Sequence, residues 1–284
     1  MAINKVVVIG AGQMGRGIAQ VFATAGRNVT VCDVSDEIIA NSEAALDKGF
    51  AKQVAKGKMT QESVNELKSR MTFCSDTEYA SAAEADLVVE AVVENMDLKK
   101  KIFSKIDGFA KPECIFATNT SSLSITELAS SVKRQDKVIG MHFFNPPVAM
   151  KLIEVIRGGN TSDETYNTVF ELSKEIGKTP VTVAEAPGFV CNRLLIPMIN
   201  EAIDLVYTGV ATPEDIDTAM KLGCNHPMGP LALADFIGLD TVLAIMDTIY
   251  AETHDSKYRA SLLLRKMVRA GKLGNKTGEG FYKH

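Results

Sequence analysis

An open, doubly wound α/β sheet followed by an all-helical domain is the fold that the sequence predicts, and three features predict it. The first is a series of apolar β-type runs alternating with helical stretches over roughly the first 185 residues. The second is that several of those runs are apolar throughout, as strands buried on both faces of a parallel sheet are. The third is a change of character after Pro187-Gly188, beyond which only helical patterns follow. These features put the domain boundary at 187, with a sheet domain over 1–187 and a helical domain over 188–284.

Taken in order, the strand-like runs are KVVVIG (5–10), NVTVCD (28–33), DLVVEAV (86–92), ECIFATN (113–119), KVIGMHF (137–143), KLIEVIR (151–157) and PVTVAE (180–185). Ser124 stands three residues before Glu127, the spacing of a capping box, so a helix starts there. In the second part, Thr212 precedes Pro213, a cap residue ahead of a proline suited to a first helical turn. Pro197 falls inside an otherwise helical run and predicts a kink or break.

Composition narrows the class. Of the 284 residues, 46% are hydrophobic and 23% charged, as in ordinary globular proteins. The formal net charge of −4 argues against a broad nucleic-acid surface. No run reaches the roughly 20 apolar residues that a membrane span needs, and the chain starts directly on a strand-like run, so neither a membrane anchor nor a targeting segment is expected. The five cysteines are scattered and never spaced C-x-x-C. That pattern predicts reduced, mostly buried thiols in a cytoplasmic protein rather than a disulfide framework or a zinc site.

The segment Gly10-Ala11-Gly12-Gln13-Met14-Gly15 follows one strand and opens a helical stretch. In that context it reads as a Rossmann-like dinucleotide site. Gly10 permits the tight turn, Gly12 lets a pyrophosphate approach the backbone, and Gly15 lets the helix pack closely on the strand. The helix N-terminus adds unpaired N–H groups and about half a positive charge. Asp33 ends the second strand eighteen residues after Gly15. A carboxylate there accepts hydrogen bonds from the adenosine ribose and repels a 2′-phosphate, which favours NAD over NADP. Arg27 precedes the strand and is expected to point elsewhere.

His142 ends another strand, at the edge where open α/β sheets bind ligands. Imidazole suits proton transfer near neutral pH. Glu154 lies twelve residues on, and a hairpin or tight reversal through 145–150 brings it beside the imidazole, where it would fix the tautomer and stabilise the imidazolium. Lys48, Lys52 and Lys56 recur every four residues and share one helical face. Such a run is commonly a solvated face, but it equally suits a polyphosphate ligand. Ser121 reads equally as a turn cap, and Asn192 as a helix-start amide.

Five segments carry a resemblance over essentially the whole chain. They are His142-Phe143-Phe144-Asn145-Pro146-Pro147 with Glu154 in KLIEVIRG, TNTSSLSIT (118–126), EAPGFVCNRLLIPMINEA (185–202), HPMGPLALADFIGLD (226–240) and GNKTGEGFY (274–282). Together they resemble the 3-hydroxyacyl-CoA dehydrogenase family, closest to its bacterial, single-function 3-hydroxybutyryl-CoA members. The resemblance implies interconversion of a short (S)-3-hydroxyacyl-CoA and its 3-oxoacyl-CoA with NAD. It makes His142 the acid/base, Glu154 its partner, Ser121 a donor near the substrate oxygen, and Asn192 the amide that completes the site. It assigns Lys52 and Lys56 to the CoA, and Glu94, Lys99, Asn145 and Lys276 to the cofactor. It also implies a homodimer built through the helical domain. His226 and Asp235 read as structural, and His254 and His284 as surface groups. Two rival readings are a sugar-acid dehydrogenase of the same fold, which needs no CoA lysines, and a non-catalytic NAD-binding protein.

Overall fold

The computed structural model describes residues 2–284. The chain divides into two compact units, the first ending at Glu185 and the second running Ala186–His284.

The first unit is an eight-stranded sheet: β1 (Lys5–Ile9), β2 (Asn28–Asp33), β3 (Met71–Ser75), β4 (Leu87–Glu90), β5 (Ile115–Thr118), β6 (Val138–Phe143), β7 (Leu152–Arg157) and β8 (Thr179–Ala184). Their spatial order is 3-2-1-4-5-6-7-8. Every neighbouring pair is parallel except β6–β7. The strand order reverses at β1/β4, the place where doubly wound sheets open a ligand crevice. The connecting helices are α1 (Gln13–Thr24), α2 (Asp36–Ala55), α3 (Gln61–Ser69), α4 (Met96–Asp107), α5 (Ile125–Ala129) and α6 (Asp163–Glu175).

The inner strands β4, β5 and β6 are buried at every position. That explains their unbroken apolar runs, since a strand covered on both faces has no side to leave polar. The two edges read differently. β8 is mostly exposed and holds Pro180, a residue that only an edge strand tolerates without losing a ladder bond. β3 is the strand that sequence reading misses. Its residues MTFCS lie half-buried at the other edge, too short and too mixed to stand out.

The second unit packs α7 (Cys191–Tyr207), α8 (Pro213–Gly223), α9 (Pro230–Ile237), α10 (Leu239–Thr253) and α11 (Leu262–Arg269) around a core that includes Ile199, Ile203, Leu231, Val242, Met246, Ile249 and Leu264. Thr212 caps α8 as its spacing predicts, accepting from the Asp215 N–H at 3.2 Å, with Pro213 at the first turn. Pro197 does not break α7, which runs unbroken through it. The proline forfeits one backbone bond, while Ile196, Ile199, Ala202 and Ile203 bury the helix face. Each of the three isoleucines contributes about 1.5–3 kcal/mol, enough to hold the helix together. Asp217 accepts from the N–H groups of Leu231 and Ala232 at 2.8 and 2.9 Å, and so satisfies the first turn of α9. No helix among the described residues is long and apolar enough to cross a membrane.

Candidate active site

The strand-to-helix turn after β1 has the geometry its glycines imply. Gly10 has φ +103°, and a Cβ there would lie 2.6 Å from the Ala91 carbonyl oxygen. A Cβ on Gly15 would sit 1.7 Å from the Gly10 oxygen. A Cβ on Gly12 would meet nothing within 4 Å, so that face of the turn is open to an incoming group. Asp33, at the end of β2, accepts from the Ala11 N–H at 2.7 Å and the Val34 N–H at 2.8 Å. This ties the second strand to the glycine turn. Arg27 turns away, onto Glu175. The open Gly12 face, the helix start behind it and the Asp33 carboxylate beside it fit a dinucleotide.

The loop after β6 comes back to this turn. Gln13 donates to the Asn145 side-chain oxygen at 3.0 Å. A Cβ on Gly17 would meet Pro147 at 2.9 Å, so α1 and the His142–Pro147 segment lie in close contact. The Lys178 ammonium donates to the carbonyls of Pro147 and Met150 at 2.6 and 2.8 Å and fixes the reversal that follows.

That reversal makes β7 antiparallel to β6 and sets Glu154 directly across from His142 in the ladder. The imidazole Nδ1 lies 2.8 Å from Glu154 Oε2. Glu154 is fully buried, and the His142 side chain is 7% exposed. Burial strengthens such a pair, since little water competes for either partner. The Phe144 ring lies 4.5 Å from the imidazole. Asn119, just past β5, accepts from the Phe143 N–H at 2.8 Å and so joins the ends of β5 and β6.

Between the glycine turn and His142 lies a network of charges. Glu90, fully buried at the end of β4, takes the Lys99 ammonium on both oxygens at 2.8 and 2.9 Å. Lys99, 1% exposed, also reaches Glu94 at 3.2 Å. Glu94 in turn accepts from the Thr120 hydroxyl at 2.6 Å, the Ser121 N–H at 2.9 Å and the Ser121 hydroxyl at 3.3 Å. Burial works to raise the Glu94 carboxyl. The Lys99 ammonium, the Thr120 hydroxyl and the Ser121 amide outweigh it and hold the group below the ordinary glutamate range. The other end of the serine-rich loop is held by Glu185, which accepts from the Ser124 hydroxyl at 2.6 Å and from the Thr126 N–H and hydroxyl. Ser124 caps α5 through the Glu127 N–H at 3.0 Å, while the Glu127 carboxylate goes to Lys100.

Residues 5–186 match the 3-hydroxyacyl-CoA dehydrogenase NAD binding domain, and residues 188–284 match the C-terminal domain of the same family. The chain belongs to the 3-hydroxyacyl-CoA dehydrogenase family. It is accordingly an NAD-binding oxidoreductase. It is 56% identical to a 3-hydroxybutyryl-CoA dehydrogenase of Clostridioides difficile over 98% of each chain. Against the human mitochondrial hydroxyacyl-coenzyme A dehydrogenase the identity is 45%, over 99% of this chain and 91% of the relative. The crystal structure of an (S)-3-hydroxybutyryl-CoA dehydrogenase from Ralstonia eutropha superposes with a TM-score of 0.95 at 49% identity, covering 100% of this chain and 99% of that one.

The first unit of this dehydrogenase thus gathers Gly10, Gly12, Gly15, Asp33, Glu94, Ser121, His142 and Asn145 at the C-terminal ends of its parallel strands, with Glu154 facing His142 and Lys99 buried beneath Glu94. Lys52 and Lys56 are exposed at the end of α2, with Lys56 as its C-cap. Asn192 sits in the first turn of α7 in the second unit. Lys276, also in the second unit, holds Asp240 through both oxygens at 2.8 and 3.0 Å and reaches the Thr241 hydroxyl at 3.1 Å. His284 is not a free surface group: its Nε2 lies 3.0 Å from Asp235, a fully buried carboxylate that also accepts from the N–H groups of Phe281 and Tyr282. The cysteines are less uniformly buried than their pattern suggests. Cys32 and Cys114 are buried, Cys74 and Cys191 half-buried and Cys224 exposed. Burial pushes the Cys32 and Cys114 thiols up to about 12, which makes both poor nucleophiles.

Glu90, Lys178 and Glu185 escape sequence reasoning. Glu90 did leave a signal: it is a carboxylate with apolar residues on both sides in LVVEAV (87–92), and a charge on a doubly covered strand needs a partner. Lys178 and Glu185 bond to carbonyls and to a helix start that only the folded chain brings near, so nothing in their own segments marks them.

Proposed function

We propose that the protein interconverts (S)-3-hydroxyacyl-CoA and 3-oxoacyl-CoA, with short chains such as 3-hydroxybutyryl-CoA preferred, and with His142 as general acid/base. The observation that carries the reading is the buried His142–Glu154 pair beside the loop that meets the glycine turn. Bound NAD supplies the hydride acceptor at C3 of the hydroxyacyl group. In oxidation, His142 takes the hydroxyl proton on Nε2, while Glu154 holds Nδ1 and stabilises the imidazolium. In reduction, the same nitrogen returns the proton. Ser121 donates to the substrate oxygen as negative charge develops there, and Asn192 supplies a second donor. The turn that Gly10 and Gly15 shape receives the pyrophosphate at Gly12, Asp33 takes the adenosine ribose, and Glu94, Asn145 and Lys276 the rest of the cofactor, with Lys99 acting through Glu94. Lys52 and Lys56 face the CoA phosphates.

The short-chain preference is supported by the relatives named 3-hydroxybutyryl-CoA dehydrogenase, from Clostridioides difficile and Ralstonia eutropha. A cytoplasmic location belongs to the same proposal, supported by cysteines that are scattered along the chain and never spaced C-x-x-C. A homodimer through the second unit is supported by Leu194, Val210, Leu222, Phe236 and Leu262, each more than half exposed there.

The deciding experiment follows NADH consumption with acetoacetyl-CoA, longer 3-oxoacyl-CoAs and free acetoacetate, and repeats it with NADPH. Fast turnover of acetoacetyl-CoA with NADH, and little with the free acid, is expected. Activity on a free hydroxy acid alone would select the sugar-acid type of dehydrogenase. NADH binding without turnover of any 3-oxoacyl-CoA would select a binding protein. Light scattering at micromolar concentration reads the oligomeric state, with twice the chain mass expected.

A further inference from the structure

Glu90, a carboxylate at the end of β4, reaches three elements at once. It takes the Lys99 ammonium of α4 on both oxygens, the Thr118 hydroxyl of β5 at 2.7 Å, and the Val92 N–H of its own following turn at 2.7 Å. The Thr118 hydroxyl also receives the Thr120 N–H at 3.2 Å, so the grip extends into the serine-rich loop. Lys99 is then shared between Glu90 and Glu94. One buried ammonium between two carboxylates leaves a net charge of −1 on the cluster, and that charge faces outward on Glu94, whose side chain is 36% exposed.

We infer that Glu90 is a positioning residue of the site: it anchors Lys99, and through Lys99 it holds Glu94 where it orients Ser121 and meets the cofactor. The inference rests on the proposed role of Glu94 and goes beyond it by naming what sets that role. Both contacts of Lys99 with Glu90 are shorter than its contact with Glu94. Glu90 therefore fixes the ammonium, and Glu94 is held by what remains. With the Glu90 charge gone, Lys99 has Glu94 as its sole counter-ion, and a buried ammonium draws that carboxylate inward, away from Thr120 and Ser121. An amide in place of the carboxylate keeps its oxygen for the Val92 N–H and turns its NH2 to the Thr118 hydroxyl, which can accept from it, so the strand ends hold while the charge balance changes.

The test uses Glu90→Gln, Glu94→Gln and the double variant, with two readouts: the NADH dissociation constant from fluorescence titration, and kcat with acetoacetyl-CoA. Glu90→Gln is expected to weaken NADH binding several-fold and to lower kcat about tenfold or more, within what a displacement of under 1 Å in a site can cost. The double variant should then be no worse than Glu94→Gln alone, because Glu90 has nothing left to act through. Effects that multiply in the double variant would overturn the inference, since they mark an independent structural role. Wild-type values in Glu90→Gln would do the same. If Glu94→Gln itself leaves binding and turnover intact, the proposed role of Glu94 fails first and the inference falls with it, an outcome distinct from the other two. Should Glu90→Gln not fold, Glu90→Met/Lys99→Met removes both buried charges together and allows the same comparison with Glu94→Gln.

Discussion

Replacing Glu154 by glutamine isolates the electrostatic part of the proposed mechanism. The amide has the shape of the carboxylate and can still contact His142 Nδ1, so the β6–β7 ladder is preserved. The charge is what disappears. In the wild type the Nδ1···Oε2 distance is 2.8 Å, which puts the charge centres of carboxylate and imidazolium about 4 Å apart. At an effective dielectric of about 20 this is worth about 4 kcal/mol to the protonated ring. A transition state that carries most of that charge loses about 3 kcal/mol, or roughly a hundred- to a thousandfold in kcat at 1.4 kcal/mol per decade. The assay is NADH oxidation with saturating acetoacetyl-CoA, alongside NADH titration by fluorescence. Glu154→Gln should bind NADH within about threefold of wild type, because the change lies at the proton-transfer end. A kcat within tenfold of wild type, in a variant that melts normally, would refute the assignment of Glu154 as the group that stabilises the imidazolium.

Other perturbations separate the remaining roles. His142→Ala should lose about 10²–10⁴ in kcat, the usual worth of a positioned acid/base, with NADH binding retained; stopped-flow and equilibrium titration together check it. Charge reversal at Lys52 and Lys56 should raise KM for the CoA ester roughly tenfold and spare a pantetheine substrate that lacks the nucleotide; equal effects on both would remove the lysines from the site. Asp86 is held below the ordinary aspartate range. Burial acts to raise it, and the N–H groups of Lys5 and Asn4 and the Lys111 ammonium outweigh that. A depressed folded-state value means stability that is full above the unfolded value of about 3.9 and fades as pH falls through the folded one. Asp86→Asn should therefore melt a few degrees lower at pH 7, with the gap to wild type closing as pH drops below 4; a gap constant with pH would dismiss the explanation.

Much of the first unit is legible because its inner strands carry no compromise. β1, β4, β5 and β6 are covered on both faces, so their sequences are nearly pure apolar runs, and the glycine turn announces the first crossover. The meeting of His142 and Glu154 is also legible in outline, since the two strands are consecutive and a reversal through 145–150 lays them side by side; the ladder then sets the register. β3 is not, because an edge strand half in water has no pattern of its own. Nor is Glu185, whose partners Ser124 and Thr126 lie some sixty residues away and reach it only through tertiary structure. Sequence distance hides Lys178 in the same way: a lysine after a helix is an unremarkable solvent group until its ammonium is found on two loop carbonyls.

Because His142 and Glu154 meet as cross-strand neighbours, their spacing is inherited from backbone hydrogen bonds and owes nothing to the path of residues 145–150. A slip of one position along β7 would swing Glu154 to the opposite side of the sheet and offer Ile153 or Val155 to the imidazole. The dyad is thus all-or-none with respect to ladder alignment, yet tolerant of variation in the turn that joins the two strands. Evolution could lengthen or recolour that turn to reshape substrate choice while the proton-handling pair stayed in place.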